Sequence, residues 1–431
     1  MRAVCLILQW ALLRSFLGPY CAPDAEPARP SKRVCVVGAG TAGLAALKAL
    51  LDLPEDVRDG WQIDVFEQRH DVGGLWLPQP DPPSPPGLPD TPMYPSLRTN
   101  LAHPTMTFPQ FVYPPMTPLY PSHSAVQAYH DHFARHYDLR RYISFSHTVL
   151  NATYEAESAW RLDIQTSHAV PVTLHYDHLI VASGHNHCPH IPALNGKNSW
   201  LSGGPGEREI LHSIWFREPS AYRNQTVIVA GNGDSGRDIA MQVSKVAKNV
   251  YHSYDHNTLD PVFSPPVPQA IYKPRISHLT SSSIVFTDNS TLETSGPTTI
   301  LLATGYEYIV PFLPTLSMSS SINYSTTSLS TNTRYIRPLY RHVLALDPVL
   351  PTNALAFIGL PMWVATAPSD YTQGLFAAHA IANGSMLLSR ETMLSELEAR
   401  ERALEDTGMD PFFIGHRLTG KMRLSTTKMD S

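Results

Sequence analysis

Apolar residues along the chain gather in short dense runs, separated by polar, glycine-rich or proline-rich stretches. Residues 34–37 are β-branched or apolar without alternation, as in a strand covered on both faces. Residues 42–51 are good helix formers, and residues 62–66 predict a second strand ending at Glu67, so the three make a βαβ unit. The succession returns later, with a strand over 227–229, a helix over 238–247 and a strand over 249–253. Further strands are expected over 173–182, 299–303 and 354–358, and helices over 122–139, 371–388 and 391–404. Residues 317–333 are mostly polar and are expected to form a surface excursion. Strands alternating with helices place the chain in the α/β class, with two Rossmann-like units.

What joins strand to helix in each unit carries the chemistry. Gly38-x-Gly40-x-x-Gly43 sits between the first strand and its helix, and Gly231-x-Gly233-x-x-Gly236 does the same in the second unit. The first glycine makes the tight turn, the second lets the backbone approach a pyrophosphate, and the third allows close helix–strand packing. The helix N-terminus adds free N–H groups and positive potential. Glu67, closing the second strand, is placed to accept a ribose hydroxyl. Asp255 stands at the spacing where an acid pairs with the ribose of NAD, while Lys245, Lys248, His252 and His256 lie near it, so either NAD or NADP is compatible with the second unit. Two complete fingerprints imply two dinucleotides.

Composition narrows the classes. A length of 431 residues accommodates two nucleotide-sized domains. The formal net charge of −5 gives no reason to expect nucleic acid or an anionic membrane as partner. The four cysteines, Cys5, Cys21, Cys35 and Cys188, contain no CxxC pair, which argues against a redox dithiol or a zinc knuckle. His130-x-His132 and His185-x-His187 have spacings that suit a metal, but the first is expected on a surface helix and the second in a loop after a strand, so no metal site is expected. At the N-terminus, Arg2 precedes a short apolar run that ends at Arg14. It is either a secretory signal or an extension that the fold ignores, and it is too short to span a bilayer. No later stretch reaches that length, so no transmembrane anchor is expected. Asn151, Asn224, Asn289, Asn323 and Asn383 lie in glycosylation sequons. Location therefore stays open between the secretory pathway and the cytoplasm, as does the oligomeric state.

Taken in order, these motifs resemble the flavin-containing monooxygenase family, with a fungal-type N- or S-oxygenating member as the finer expectation. The resemblance runs from residue 33 to about 385. It is carried by Gly38-Ala39-Gly40-Thr41-Ala42-Gly43 with Glu67, by Gly73-Gly74-Leu75-Trp76, and by Leu97-Arg98-Thr99-Asn100. It continues through Gly231-Asn232-Gly233-Asp234-Ser235-Gly236 and Ala303-Thr304-Gly305-Tyr306. One family motif is incomplete: His212, Ser213, Phe216 and Arg217 are kept, but Gly206 and Arg208 stand where phenylalanine and glycine are expected. Asp255 also stands where members commonly carry arginine for the NADP phosphate.

The resemblance implies an FAD-binding domain in two segments, 31–186 and 306–385, with a nicotinamide domain inserted over 187–305. Residues 1–30 are then a leader and lead-in, and 386–431 a C-terminal helix and tail. It implies a monooxygenase that takes hydride from NADPH or NADH onto FAD and reacts with O2 to form a flavin C4a-hydroperoxide. That species then oxygenates a nitrogen or sulfur of a small or peptide-like metabolite. Asn100 matches the family's active-site asparagine, and its amide is suited to hold the oxygen species or the nicotinamide. A secreted FAD oxidase of the same fold and a Baeyer–Villiger monooxygenase are the alternatives. Trp76 is expected either on the flavin or in the core. Gln373, in Thr372-Gln373-Gly374, is expected to approach the flavin through backbone N–H groups just before the late helix. His212 is open to structural and functional readings.

Overall fold

The computed structural model describes residues 30–155, 159–166, 170–255, 266–319 and 328–418. The expected leader through residue 29 and the sequon at Asn323 lie outside them. The chain enters with β1 (Lys32–Val37), α1 (Thr41–Leu51) and β2 (Trp61–Glu67). A long proline-bearing connection leads to α2 (His123–His136) and β3 (Ile143–Phe145). An antiparallel meander follows as β4 (His147–Glu155), β5 (Ala159–Thr166) and β6 (Val172–Tyr176), and then β7 (His178–Val181). After β8 (Cys188–Pro189) come β9 (Arg208–His212), β10 (Thr226–Ala230), α3 (Asp234–Val243), β11 (Asn249–Ser253) and β12 (Ile271–Lys273). A small antiparallel sheet of β13 (Ile276–Leu279), β14 (Ser283–Phe286) and β15 (Thr291–Glu293) precedes β16 (Thr298–Leu302) and β17 (Tyr306–Glu307).

A second small sheet holds β18 (Ser317–Met318), β19 (Ser330–Thr331) and β20 (Ile336–Arg337). The chain closes with β21 (Leu339–Tyr340), β22 (Leu344–Ala345), β23 (Leu355–Phe357), α4 (Thr366–Ala382) and α5 (Arg390–Glu405).

Two parallel-cored sheets organise these elements. The first runs β21-β22-β23-β7-β1-β2-β3 and the second β12-β11-β10-β16-β9. Strand order reverses direction beside β1 in one and beside β10 in the other, the place where open α/β sheets bind ligands. Val34 and Val36 of β1 face α1, while Cys35 and Val37 face the core under the meander. Both faces are covered, which is why the sequence shows no alternation there. Each fully buried Val or Leu contributes about 1.5–3 kcal/mol. Helix α4 lies close against α1 because the contact is made of small residues: a Cβ on Gly374 would sit 3.1 Å from Ala46 Cα and Ala49 Cβ.

Several boundaries differ from expectation for identifiable reasons. The strand expected over 173–182 is two strands in different sheets, broken at Asp177. The Asp177 carboxylate accepts the Arg33 backbone N–H (2.7 Å) and the Arg33 guanidinium (2.8 Å). Helix α3 starts four residues before the expected 238, directly after Gly233, with Asp234 in its first turn where the helix dipole favours an acid. Helix α4 starts at Thr366 rather than at 371. Pro368 lies inside its first turn, where a missing N–H breaks no intrahelical bond. Of the polar stretch 317–333, residues 320–327 lie outside the described residues; Ser317 and Met318 are exposed as expected, whereas Leu329, Ser330 and Thr331 are buried. Asn224 and Asn289 lie exposed with φ of +62°, whereas Asn151 is hydrogen-bonded to Thr153 and Asp163.

Candidate functional site

The turn from β1 to α1 leaves no room for side chains. A Cβ on Gly38 (φ +105°) would sit 2.6 Å from Ala182 O, and one on Gly43 would sit 1.8 Å from Gly38 O. Gly40 precedes α1 in an extended conformation with no side-chain cap, so the first-turn N–H groups are left for a ligand. Glu67 is buried and accepts the N–H groups of Ala39 (2.7 Å) and Arg69 (2.8 Å). Burial raises its carboxyl above the ordinary glutamate range. Arg69 in turn donates to the carbonyls of Gly74 (3.0 Å), Leu77 (2.6 Å) and Pro78 (2.9 Å). This fixes the one-turn helix Gly74–Trp76 beside the glycine turn, with a Gly74 Cβ position only 2.9 Å from Gly40 Cα. Trp76 lines the cleft and also packs on the core, so both expected environments meet at one side chain.

Thr41 opens α1 and is held from behind. His130, expected on a surface helix, is 3% exposed. Its Nδ1 lies 2.7 Å from Val126 O, so that nitrogen carries the proton, and Nε2 accepts the Thr41 hydroxyl at 2.8 Å. Burial depresses this imidazole to about 4, keeping it neutral. No residue of α2 lines the cleft, so α2 backs the turn.

On the far wall, α4 aims its first turn at the same space, through Thr366 and Ser369 among others. Gln373 lies inside the helix. Its backbone N–H is spent within the helix, and its side chain accepts from Gly359 N–H (3.2 Å) and donates to Ser369 Oγ (2.9 Å). The expected backbone approach at Gln373 is thereby corrected: the free N–H groups belong to the turn that starts at Thr366. Asp370, which sequence reasoning missed, is 4% exposed, lines the cleft, and is pushed up to about 8 by burial.

The second turn repeats the first. A Cβ on Gly231 (φ +121°) would sit 2.2 Å from Ala303 O, and one on Gly236 2.1 Å from Gly231 O, while Gly233 has open space before it. Asp234 and Ser235 begin α3 and line the cleft. Asp255, Arg237 and Arg275 line it nearby. The incomplete histidine motif is structural. His212, 1% exposed, accepts Ile214 N–H on Nδ1 (3.1 Å) and donates from Nε2 to Gly305 O (3.0 Å). Gly206 is required because a Cβ would meet Gly296 at 2.6 Å, and Arg208 clips the carbonyls of Trp200, Ser281 and Thr294.

One cleft of about 3550 Å³ joins the two turns, several times an ordinary ligand pocket. The residues expected to hold the two cofactors line it except Gly43 and Gly236, which pack beneath their turns, whereas His212, Ser213 and Tyr306 of the other motifs do not line it. Asn100 stands between the turns and donates to Asp234 at 2.7 Å. Thr304 and Gly305 lie where the chain crosses between the sheets, as β17 pairs antiparallel with β8 and His190 N–H bonds Gly305 O at 2.9 Å. The glycine cradles, the uncapped helix starts and Glu67 fit a dinucleotide such as FAD at the first turn, and the second cradle fits a nicotinamide dinucleotide. Among the described residues, no group of three or more His, Cys, Asp or Glu converges for a metal, and no helix is long and apolar enough to cross a membrane.

Comparison with known proteins agrees with this geometry. The family model described as flavin-binding monooxygenase-like matches residues 31–259. Flavin-containing monooxygenase FMO GS-OX2 of Arabidopsis thaliana is 30% identical over 412 residues, covering 91% of this chain and 83% of the relative. The structure of S-allyl-L-cysteine S-oxygenase from Allium sativum superposes with a TM-score of 0.75 at 25% identity, covering 90% of this chain and 85% of that one. Tmm from Pelagibacter sp. strain HTCC7211 gives 0.71 at 25% identity, covering 87% and 81%. The chain belongs to the flavin-binding monooxygenase-like family and is an FAD- and NAD(P)H-dependent monooxygenase of small molecules.

Proposed function

We propose that the protein oxygenates a sulfur or nitrogen centre of a small or peptide-like metabolite, with residues 31–186 and 306–385 holding FAD and residues 187–305 holding the nicotinamide. One observation carries this reading: both glycine turns open onto a single cleft, and Asn100 stands between them. The redox chemistry of hydride acceptance and oxygen activation is supplied by FAD when bound.

The chain's own residues bind, orient and exclude water. Gly38, Gly40, Thr41 and Ala42 present the N-terminus of α1 to the FAD pyrophosphate, with the Thr41 hydroxyl oriented by His130. Glu67 keeps acceptor capacity for ribose hydroxyls beside its two backbone bonds. Gly74, Leu75 and Trp76 wall the flavin on one side, and Gln373 and Asp370 face it from α4. Gly231, Gly233, Asp234 and Ser235 cradle the nicotinamide pyrophosphate. Asn100, whose amide bonds Asp234 between the two cradles, is suited to serve the reacting centre, while Thr304 and Gly305 join the two units. Asp255, one residue beyond the place that Glu67 fills in the first unit, gives a ribose hydroxyl only a weak hold, and Arg237 and Arg275 favour a phosphate, so both NADH and NADPH serve. The garlic S-oxygenase supports a sulfur centre. The relatives named are plant and bacterial, so nothing in them favours a fungal-type member over any other N- or S-oxygenating one.

Anaerobic mixing with each nicotinamide, followed by oxygen and a thioether, tests the proposal. Flavin bleaching by both nicotinamides and sulfoxide formation are expected. Bleaching by a candidate substrate but by neither nicotinamide would replace the monooxygenase with an oxidase.

A further inference from the structure

The C-terminal helix brings a second chemistry into the cleft. Glu401 of α5 and Arg337 of β20 are each 1% exposed and form a buried ion pair at 3.0 Å, and Tyr335 donates its hydroxyl to Glu401 at 2.9 Å. This anchor fixes the turn of α5 that carries Arg400. Arg400 lines the cleft and forms no ion pair or hydrogen bond among the described residues.

The hairpin between β21 and β22 lines the same cleft. Its three-residue loop, Arg341-His342-Val343, holds a turn centred on Arg341 and His342 and closed by Val343 N–H on Tyr340 O at 2.9 Å. Both central residues have left-handed φ, +50° and +63°. Asn-Gly adopts that turn cheaply, whereas Arg and His do not. The strained turn holds His342 in the cleft wall, 6% exposed. The proton positions follow from the partners. Ile336 N–H donates to His416 Nε2 at 3.0 Å, so His416 carries its proton on Nδ1. That N–H donates to His342 Nδ1 at 2.8 Å, which leaves the His342 proton on Nε2. Nε2 is buried and has no partner among the described residues. A buried donor without an acceptor is costly, and such groups in native folds call for a ligand or water. Glu396 lines the same wall and accepts the Tyr340 hydroxyl at 2.8 Å.

We infer that Arg400 and the His342 Nε2–H form a subsite for a carboxylate, so that the preferred ligand is a small molecule carrying a carboxylate besides its oxidisable centre. One guanidinium and one neutral donor suit a monoanion, and the carboxylate of Glu396 in the same wall disfavours a dianionic phosphate. The word substrate for this ligand rests on the monooxygenase reading; the subsite does not.

Calorimetric titration of the flavin-loaded full chain with 3-(methylthio)propionate and with its methyl ester tests the inference. The acid is expected to bind about tenfold tighter than the ester, as a charge-assisted hydrogen bond allows. Arg400→Gln and His342→Asn should bring the two within about threefold while leaving ester affinity and flavin content in place. Asparagine is chosen at 342 because it tolerates left-handed φ. Equal affinity of acid and ester in the wild type, no binding of the acid, or an intact preference in both variants would each overturn the subsite. NADPH-dependent oxygen uptake is measured separately. A preference for the acid without any oxygen uptake would sink the monooxygenase reading and keep the subsite.

Discussion

Gly38 and Gly231 occupy matching places in their sheets. Gly38 N–H bonds Phe66 O at 2.8 Å and Gly231 N–H bonds Ser253 O at 2.9 Å, while Ala182 and Ala303 return N–H bonds to Val37 O and Ala230 O. From there the turns part company. Counting on from the matched carbonyls, the place of Glu67 is taken in the second unit by Tyr254, and Asp255 falls one residue further along. The place of Thr41 at the helix start is taken by Asp234. Thr41 is gripped by a buried histidine, Asp234 by the exposed Asn100. Gly40 faces Gly74 at close range and Gly233 faces open space. The first turn is enclosed and held from behind, as suits a resident cofactor. The second is also backed by a buried histidine, with His252 Nε2 2.9 Å from Gly231 O, but it stays open in front of Gly233, as suits a dinucleotide that must come and go.

This contrast is most severely tested where the turns agree. Alanine at Gly43 or Gly236 places a methyl inside van der Waals contact with backbone, so both should lose several kcal/mol and soluble yield. Thermal melting of both variants checks it, and an unharmed Gly236→Ala would deny the second turn its likeness to the first. The next effect belongs to the enclosed side alone. Asp370 keeps to about pH 8 a proton that the unfolded chain releases near pH 4. Its contribution is fully present below about pH 4 and is lost as pH rises through about 8. Denaturant titrations of flavin-stripped protein should show a few kcal/mol of decline over that interval, flattened in Asp370→Asn. A slope unchanged by the substitution would remove this asymmetry.

A smaller difference separates the two grips. His130→Ala strands the Thr41 hydroxyl and should cost about 1–3 kcal/mol and speed flavin loss, whereas Asn100→Ala should cost under about 1 kcal/mol and leave flavin bound. Flavin release rates and melting curves of the pair decide it. Smallest of all, Asp255→Asn should alter the KM for NADH by less than about threefold, since the acid lies beyond the position that Glu67 fills. A loss of tenfold or more would restore the spacing-based assignment of the ribose.

Local rules made much of this legible in the sequence. Strand, glycine turn and helix are neighbours in the chain, so both fingerprints and the role of Glu67 could be read from spacing and residue type. Spacing brought Asp255 into the cleft but one residue beyond the place of Glu67, because what fixes register is the hydrogen bonding between strands rather than the residue count around the helix. The partners of Thr41, Asp234 and Glu401 come from 60 or more residues away along the chain, and no periodicity announces them. The start of α4 was hidden by Pro368, which reads as a breaker and sits where a helix tolerates it. Asp370 stood just before the helix expected at 371 and Arg400 inside the one expected over 391–404, with no local signal that the packing of α4 and α5 turns both toward the cleft.

The short antiparallel crossing of β8 and β17 has a consequence beyond the angle it sets. Cys188 faces Glu307 and Pro189 faces Tyr306, so everything between them leaves and re-enters the host sheet at a single doorway. Such an arrangement makes the intervening stretch a graft in its connectivity, able to change without moving a strand of the host so long as the face that Tyr94, Ser96 and Asn100 bond on α3 is kept. Evolution could thus refit the hydride donor's lodging independently of the flavin's, and an engineer could do the same by cutting at that doorway.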